Sequence, residues 1–103
     1  MDLAAHVHQL SRTTPSHLRF SLAEQMSRSA VSIPSNIAEG VGRLGRREYR
    51  RHMGIALGSL RELETQLLLG VRIEAFREED ATESIRLAGE VGRMLAALVK
   101  RLS

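Results

Sequence analysis

The chain has 103 residues, 43% hydrophobic and 26% charged, with a formal net charge of +3. That length carries one domain, residues 1–103, with one core, and the balance is globular rather than disordered. The absence of cysteine excludes a disulfide, a thiol nucleophile and a thiolate metal site.

No apolar run approaches the ~20 residues of a membrane span. Met1-Asp2-Leu3 lacks the basic start and apolar core of a secretion signal. A cytoplasmic protein with no membrane partner is expected. Aromatic residues are only Phe20, Tyr49 and Phe76. The core must therefore come from Leu, Ile, Val, Met and Ala, as in helix bundles.

Residues 2–12 read as a short first helix with Leu3, Val7 and Leu10 on one stripe, and Thr13-Thr14-Pro15-Ser16 breaks it. A second helix is expected from near Ser21 to about Val41. Ser21 and Glu24 have the spacing of a capping box, and Phe20 is placed to staple the entry. Met26, Ala30, Ile33, Ile37 and Val41 step by four, three, four and four, which is one helical face. Small polar residues Ser29, Ser32, Ser35 and Asn36 lie beside it. Pro34 falls in the middle, so the helix kinks there or restarts with Asn36 and Glu39 as a second capping pair. One kinked helix is the favoured reading.

Gly42-Arg43-Leu44-Gly45 is the next turn. A third helix runs from about Arg46 to Val71, with Tyr49, Met53, Ala56, Leu60, Leu63 and Leu67 as its apolar stripe. Gly54 and Gly58 lie one turn apart inside it, which predicts the close approach of another backbone. Arg72 to Arg77 connects to a fourth helix from Glu78 to Leu102. Its stripe is Ile85, Ala88, Gly92, Leu95, Val99 and Leu102. Acids crowd its start and Lys100 and Arg101 sit at its end, as the helix dipole favours. Four antiparallel helices joined by short turns is the economical packing.

Several patterns carry chemistry elsewhere and not here. Gly40-Val41-Gly42-Arg43-Leu44-Gly45 spells G-x-G-x-x-G, but it follows a helix, and a dinucleotide site needs it after a strand. His6, His8, His17 and His52 are not spaced to converge on a metal and are expected at the surface. Glu39, Glu62 and Glu64 lack the Glu-x-x-His partners of a di-iron bundle, so hydrogen bonding, with Glu39 paired to a neighbouring Arg, is expected instead. No nucleophile-elbow motif is present, and the serines of the second helix read as small residues at a helix contact. No catalytic residue, cofactor or metal ligand is assigned, and an enzyme is not expected.

Charge is unevenly placed. Residues 43–72 hold seven Arg and three Glu, whereas the flanking segments are near balance. Arg43, Arg46, Arg47, Arg50 and Arg51 form the candidate nucleic-acid-binding set. Positions 43, 47, 50 and 51 are expected on one broad side, with Tyr49 and Met53 facing the core. Such a surface attracts nucleic-acid backbone, and a merely solvated arginine face remains the alternative. No stacking aromatic is expected beside it, so backbone contact to RNA or DNA is the expected mode.

The block Ser29-Ala30-Val31-Ser32-Ile33-Pro34-Ser35-Asn36-Ile37-Ala38-Glu39-Gly40, then Gly42-Arg43, Glu48-Tyr49 and Ile55-Ala56-Leu57-Gly58-Ser59-Leu60-Arg61-Glu62-Leu63-Glu64-Thr65-Gln66-Leu67, resembles one family over residues 16–103. It is the four-helix-bundle family encoded in intervening sequences of bacterial 23S rRNA genes. Related members are accessory proteins to the reverse transcriptase of diversity-generating retroelements. The resemblance implies an antiparallel up-and-down bundle, commonly a ring-shaped homopentamer with a basic surface. For the retroelement branch it also implies binding to nucleic acid and to a partner protein. Two departures stand out. The first helix is short and lacks the family's aromatic-rich start. Ile73-Glu74-Ala75-Phe76 replaces the usual Gly-containing turn before the fourth helix.

The sequence thus predicts an all-α, antiparallel up-and-down four-helix bundle with a short first helix and a proline-kinked second helix. It predicts a homo-oligomer, non-catalytic, binding RNA or DNA through the arginine run. The alternative is a protein-binding scaffold or accessory subunit.

Overall fold

The computed structural model describes residues 2–14, 19–43 and 45–103. Four α-helices make up the described chain: α1 Asp2–Thr13, α2 Glu24–Val41, α3 Arg46–Arg72 and α4 Glu78–Leu102. A π-helical turn over Arg19–Ala23 leads into α2. The Pro15–Ser16 break, His17, Leu44 and the side chain of Phe20 lie outside the described residues. No strand occurs among those described.

The helices form an up-and-down bundle. α1 packs on α2 and α4, α2 on α3, and α3 on α4. Leu3, Val7 and Leu10 of α1 are buried. So are Met26, Ala30 and Ile33 of α2, Met53, Ala56, Leu60, Leu63 and Leu67 of α3, and Ala81, Ala88 and Leu95 of α4. Removing these aliphatic groups from water is the main force that closes the bundle. The predicted α2 stripe holds through Ile37, which is half-buried, and then leaves the core: Val41 is 67% exposed.

Pro34 lies inside α2, and the helix continues through it to Val41 without restarting. Asn36 does not cap a second helix. Its Nδ2 donates back to the Ser32 carbonyl at 2.9 Å. The start of α2 differs from the expected capping box. Ser21 lies inside the π-helical turn, so helical backbone begins upstream of it, and Ala23 is in helical conformation with no side-chain cap.

Length decides where the bundle is complete. α1 has 12 residues against 27 in α3, about 18 Å against 40 Å at helical rise. The end of α1 lies beside the start of α2, with Ser11 Oγ 3.5 Å from Ser27 Oγ. The opposite end, built by the close of α2, the start of α3 and the close of α4, has three helices among the described residues.

Glycine marks the tight contacts. A Cβ on Gly40 would sit 2.7 Å from Met53 Cε and 2.9 Å from His52 Cβ, so its absence lets α2 close on α3. A Cβ on Gly70 would strike the Phe76 ring at 2.2 Å. Gly54 and Gly58 mark no such contact among the described residues of this chain. Nothing lies within 4 Å of a Cβ at either, and Gly58 is exposed. They sit away from the Met53–Ala56–Leu60 stripe, and among the described residues no backbone of another helix approaches them.

The turn before α4 also departs from expectation. Ala75 N–H bonds to the Gly70 carbonyl at 2.8 Å and Glu74 N–H to the Val71 carbonyl at 3.1 Å. This is the Schellman pattern, with a left-handed residue usually filled by glycine. Here Glu74 fills it, with φ 60°. Phe76, folded onto Gly70, holds the turn against the core.

Candidate nucleic-acid interface

The arginine run surrounds the start of α3. Gly45 precedes that helix in extended conformation and offers no side-chain cap. Arg46 and Arg47 are the first two helical residues. Cations there oppose the positive end of the helix dipole, at a cost of about 0.3–1 kcal/mol each. Antiparallel packing offsets part of it, because the carbonyl end of α4 lies alongside. Arg46 Nη2 donates to the Arg101 carbonyl at 2.9 Å. Arg50 donates through Nε and Nη2 to Ser103 Oγ at 3.2 and 3.1 Å, and Ser103 Oγ donates to the Val99 carbonyl.

The other three arginines are set differently. Arg43 Nη2 donates to Glu39 Oε1 at 2.6 Å in an exposed pair. Arg51 lies 3.7 Å from Glu48. Arg47 is exposed, with no side-chain partner among the described residues. Exposed pairs of this kind contribute about 0–1 kcal/mol, so a phosphate can replace the carboxylate at little cost. The side expected for positions 43, 47, 50 and 51 is exposed, and within it the side chains reach in different directions. Arg50, with Arg46, turns toward α4. Arg47 and Arg51, four apart, form a row on the outer face of α3.

Sequence reasoning missed two members of this surface. Lys100 and Arg101 close α4 and are exposed, and the Arg46–Arg101 contact places them beside the run. The signal was available, since antiparallel neighbours bring the end of α4 to the start of α3. Seven basic side chains thus share this end with the carboxylates of Glu39 and Glu48.

Between the ends of α2 and α4 and the start of α3 lies a notch of about 430 Å³. Arg43 and Arg46 stand on its rim, and Val41, Tyr49 and Leu102 give it apolar walls. Tyr49 was expected to face the core. Met53 is buried, and Tyr49, half-buried, packs against the core and also lines the notch.

The small polar residues of the α2 motif have a structural task. Ser32 Oγ and Ser59 Oγ lie 2.7 Å apart across the α2–α3 seam. Asn36 Nδ2 donates to Ser32 Oγ at 3.1 Å, and Asn36 Oδ1 meets His52 Nδ1 at 3.2 Å. With the Asn36 amide nitrogen turned toward Ser32, its oxygen is left to accept from His52. His52 is only 8% exposed, so it is not the surface histidine the sequence suggested. His6 and His8 are exposed.

The remaining motifs sort plainly. Gly40 of the G-x-G-x-x-G string is buried inside α2 beneath His52 and Met53, and Gly42 closes that helix. Glu39 pairs with Arg43 as expected, Glu64 pairs with Arg61 at 2.7 Å, and Glu62 is exposed. Among the described residues no three His, Asp or Glu side chains converge in a way that holds a metal ion. None of the described helices is long and apolar enough to cross a membrane.

Known proteins give likenesses of two kinds. Residues 1–97 match the family described as 23S rRNA-intervening sequence protein. The crystal structure of a protein with unknown function from the S23 ribosomal protein family of Bacteroides thetaiotaomicron VPI-5482 has the same architecture. It is 25% identical, with a TM-score of 0.88 over 96% of this chain and 93% of that one. A comparison with curated proteins returns no match. The family match spans nearly the whole bundle, including the Ser32–Asn36 seam and the arginine run, and on that ground the chain belongs to the 23S rRNA-intervening sequence protein family.

Proposed function

We propose that this protein is a non-catalytic, cytoplasmic nucleic-acid-binding protein that engages RNA or DNA backbone through Arg43, Arg46, Arg47, Arg50 and Arg51, joined by Lys100 and Arg101. One observation carries the reading. Arginines crowd the start of a helix where the dipole disfavours them, and Arg47 has no internal partner among the described residues. Contacts to the end of α4 account for Arg46 and Arg50; for Arg47 the described residues offer none, whereas a polyanion does. Assembly into a homo-oligomer, a pentamer on the family resemblance, would repeat the basic end and multiply its field.

The test is binding measured by fluorescence anisotropy across salt concentration. Affinity is expected to fall linearly on a log–log plot as counterions are released. Arg47→Glu combined with Arg51→Glu is expected to weaken binding about tenfold or more, across sequences alike. Absence of binding at low salt, or indifference to that reversal, overturns the proposal. Light scattering measures the assembly.

A second reading has its own support. Val31, Leu68, Leu69 and Met94 are exposed apolar side chains on the flanks of α2, α3 and α4. They suit a scaffold or an accessory subunit that binds another protein, a reverse transcriptase being the example the family resemblance offers. A pull-down returning only nucleic acid would count against it.

A further inference from the structure

We infer that the notch beside Tyr49 takes one unpaired nucleotide, its base against the tyrosine ring and its phosphate between Arg43 and Arg46. This rests on the nucleic-acid reading above and sharpens it from backbone contact to a preference for single strands. The notch is an open surface cleft of about 430 Å³. Its walls at Val41, Tyr49 and Leu102 are apolar, and guanidiniums stand at its rim. An occupant that is anionic at one edge and apolar on its face suits this lining. A nucleotide is both, and it arrives tethered to a polyanion that the surrounding arginines attract.

The site is held ready. The missing Cβ of Gly40 would lie 3.4 Å from Tyr49 Cδ1, so the ring rests on α2. Arg43 and Arg46 are each anchored through Nη2, to Glu39 and to the Arg101 carbonyl. Each guanidinium carries five N–H donors, so most remain for phosphate oxygens. A base paired within a duplex hides its faces in the stack, and only an unpaired one can lie on Tyr49.

Tyr49 is the sole tyrosine and the chain has no tryptophan, so intrinsic fluorescence reports this ring. The full chain is titrated at one low salt concentration with three ligands: a uridine single strand of about eight nucleotides, an abasic strand of equal length, and a fully paired duplex. The single strand is expected to quench tyrosine emission and to bind about tenfold tighter than the abasic strand, as one stacked base allows. Tyr49→Leu is expected to erase that difference while abasic binding persists. Equal affinity for the three ligands, or unchanged emission at saturation, overturns the inference and leaves the backbone reading standing. Binding of none of them removes both.

Discussion

Two helix starts, α3 and α4, face opposite ends of the bundle and carry opposite charge. α4 begins Glu78-Glu79-Asp80, and α3 begins Arg46-Arg47-Glu48. The first arrangement follows the dipole. It is also internally paired: Arg77 bonds Asp80 at 3.1 Å and lies 3.3 Å from Glu79. The hydrogen bond to Asp80, helped by the two carboxylate charges, raises the pKa of Arg77 above its ordinary value. The second arrangement runs against the dipole and leaves Arg47 unpaired among the described residues. Charge that folding explains needs no further purpose. The start of α3 is where the molecule accepts a cost, and that is where function is sought.

The turns before the two starts differ as well, and the largest expected effect separates them. Phe76 is buried on Gly70 and pins the turn before α4. Phe76→Ala is expected to destabilise the fold by about 3 kcal/mol in chemical denaturation, the usual cost of an emptied aromatic site. Val41, beside the turn before α3, is mostly exposed. Val41→Ala is expected to change stability by about 0.5 kcal/mol or less. Similar losses at the two positions would show that both turns are structural and erase the distinction.

Next in size is Glu74. A side chain in left-handed conformation costs about 1 kcal/mol relative to glycine. Glu74→Gly is expected to stabilise the protein by about that amount, read as a higher denaturation midpoint with an unchanged slope. A destabilised variant would mean that the Glu74 side chain contributes more than its backbone costs.

That turn shows where the sequence was legible and where it was not. Periodicity placed α4 at its observed bounds and found the stripes of α1 and α3, because aliphatic spacing is a local signal. The Schellman turn was hidden because its glycine position holds glutamate. His52 was misread for a different reason. It lies four residues before Ala56, on the edge of the core face, but its partner Asn36 comes from another helix, and no spacing rule links them. For Gly54 and Gly58 the sequence itself shows that Met53, Ala56 and Leu60 claim the inner face, which leaves a second copy as the backbone they would admit. Of the basic surface, the run itself was visible as a local cluster. Lys100 and Arg101 follow from antiparallel order alone, whereas the Tyr49 notch emerges only when three helix ends meet.

A smaller effect tests the comparison itself at matched positions. Arg47 and Glu79 are each the second residue of a helix. Arg47→Glu is expected to stabilise the fold by about 0.3–1 kcal/mol while weakening nucleic-acid binding. Glu79→Lys is expected to destabilise it by a similar amount and to leave binding intact. Thermal melts at low salt, paired with anisotropy titrations, read both quantities. Opposed signs of stability and binding at Arg47 are the mark of a charge kept for a partner. If Arg47→Glu loses stability, the residue belongs to the fold and the start of α3 is no exception.

The smallest effect belongs to the acidic end. The hydrogen bond from Arg86 holds the Glu83 carboxyl below its ordinary value, and the charges of Arg86 and His6 act in the same direction. A lowered folded pKa contributes stability that is present above the unfolded value and lost as pH falls through the folded one. Glu83→Gln is therefore expected to melt slightly below the parent at neutral pH, with the gap closing as the medium is acidified past the usual glutamate range. Arg86 also bonds Glu90, which keeps it partly satisfied in the variant and the gap small. A gap that persists unchanged into acid would mean that Glu83 acts through packing rather than charge. The acidic end would then lose one of the paired charges that set it apart from the arginines around α3.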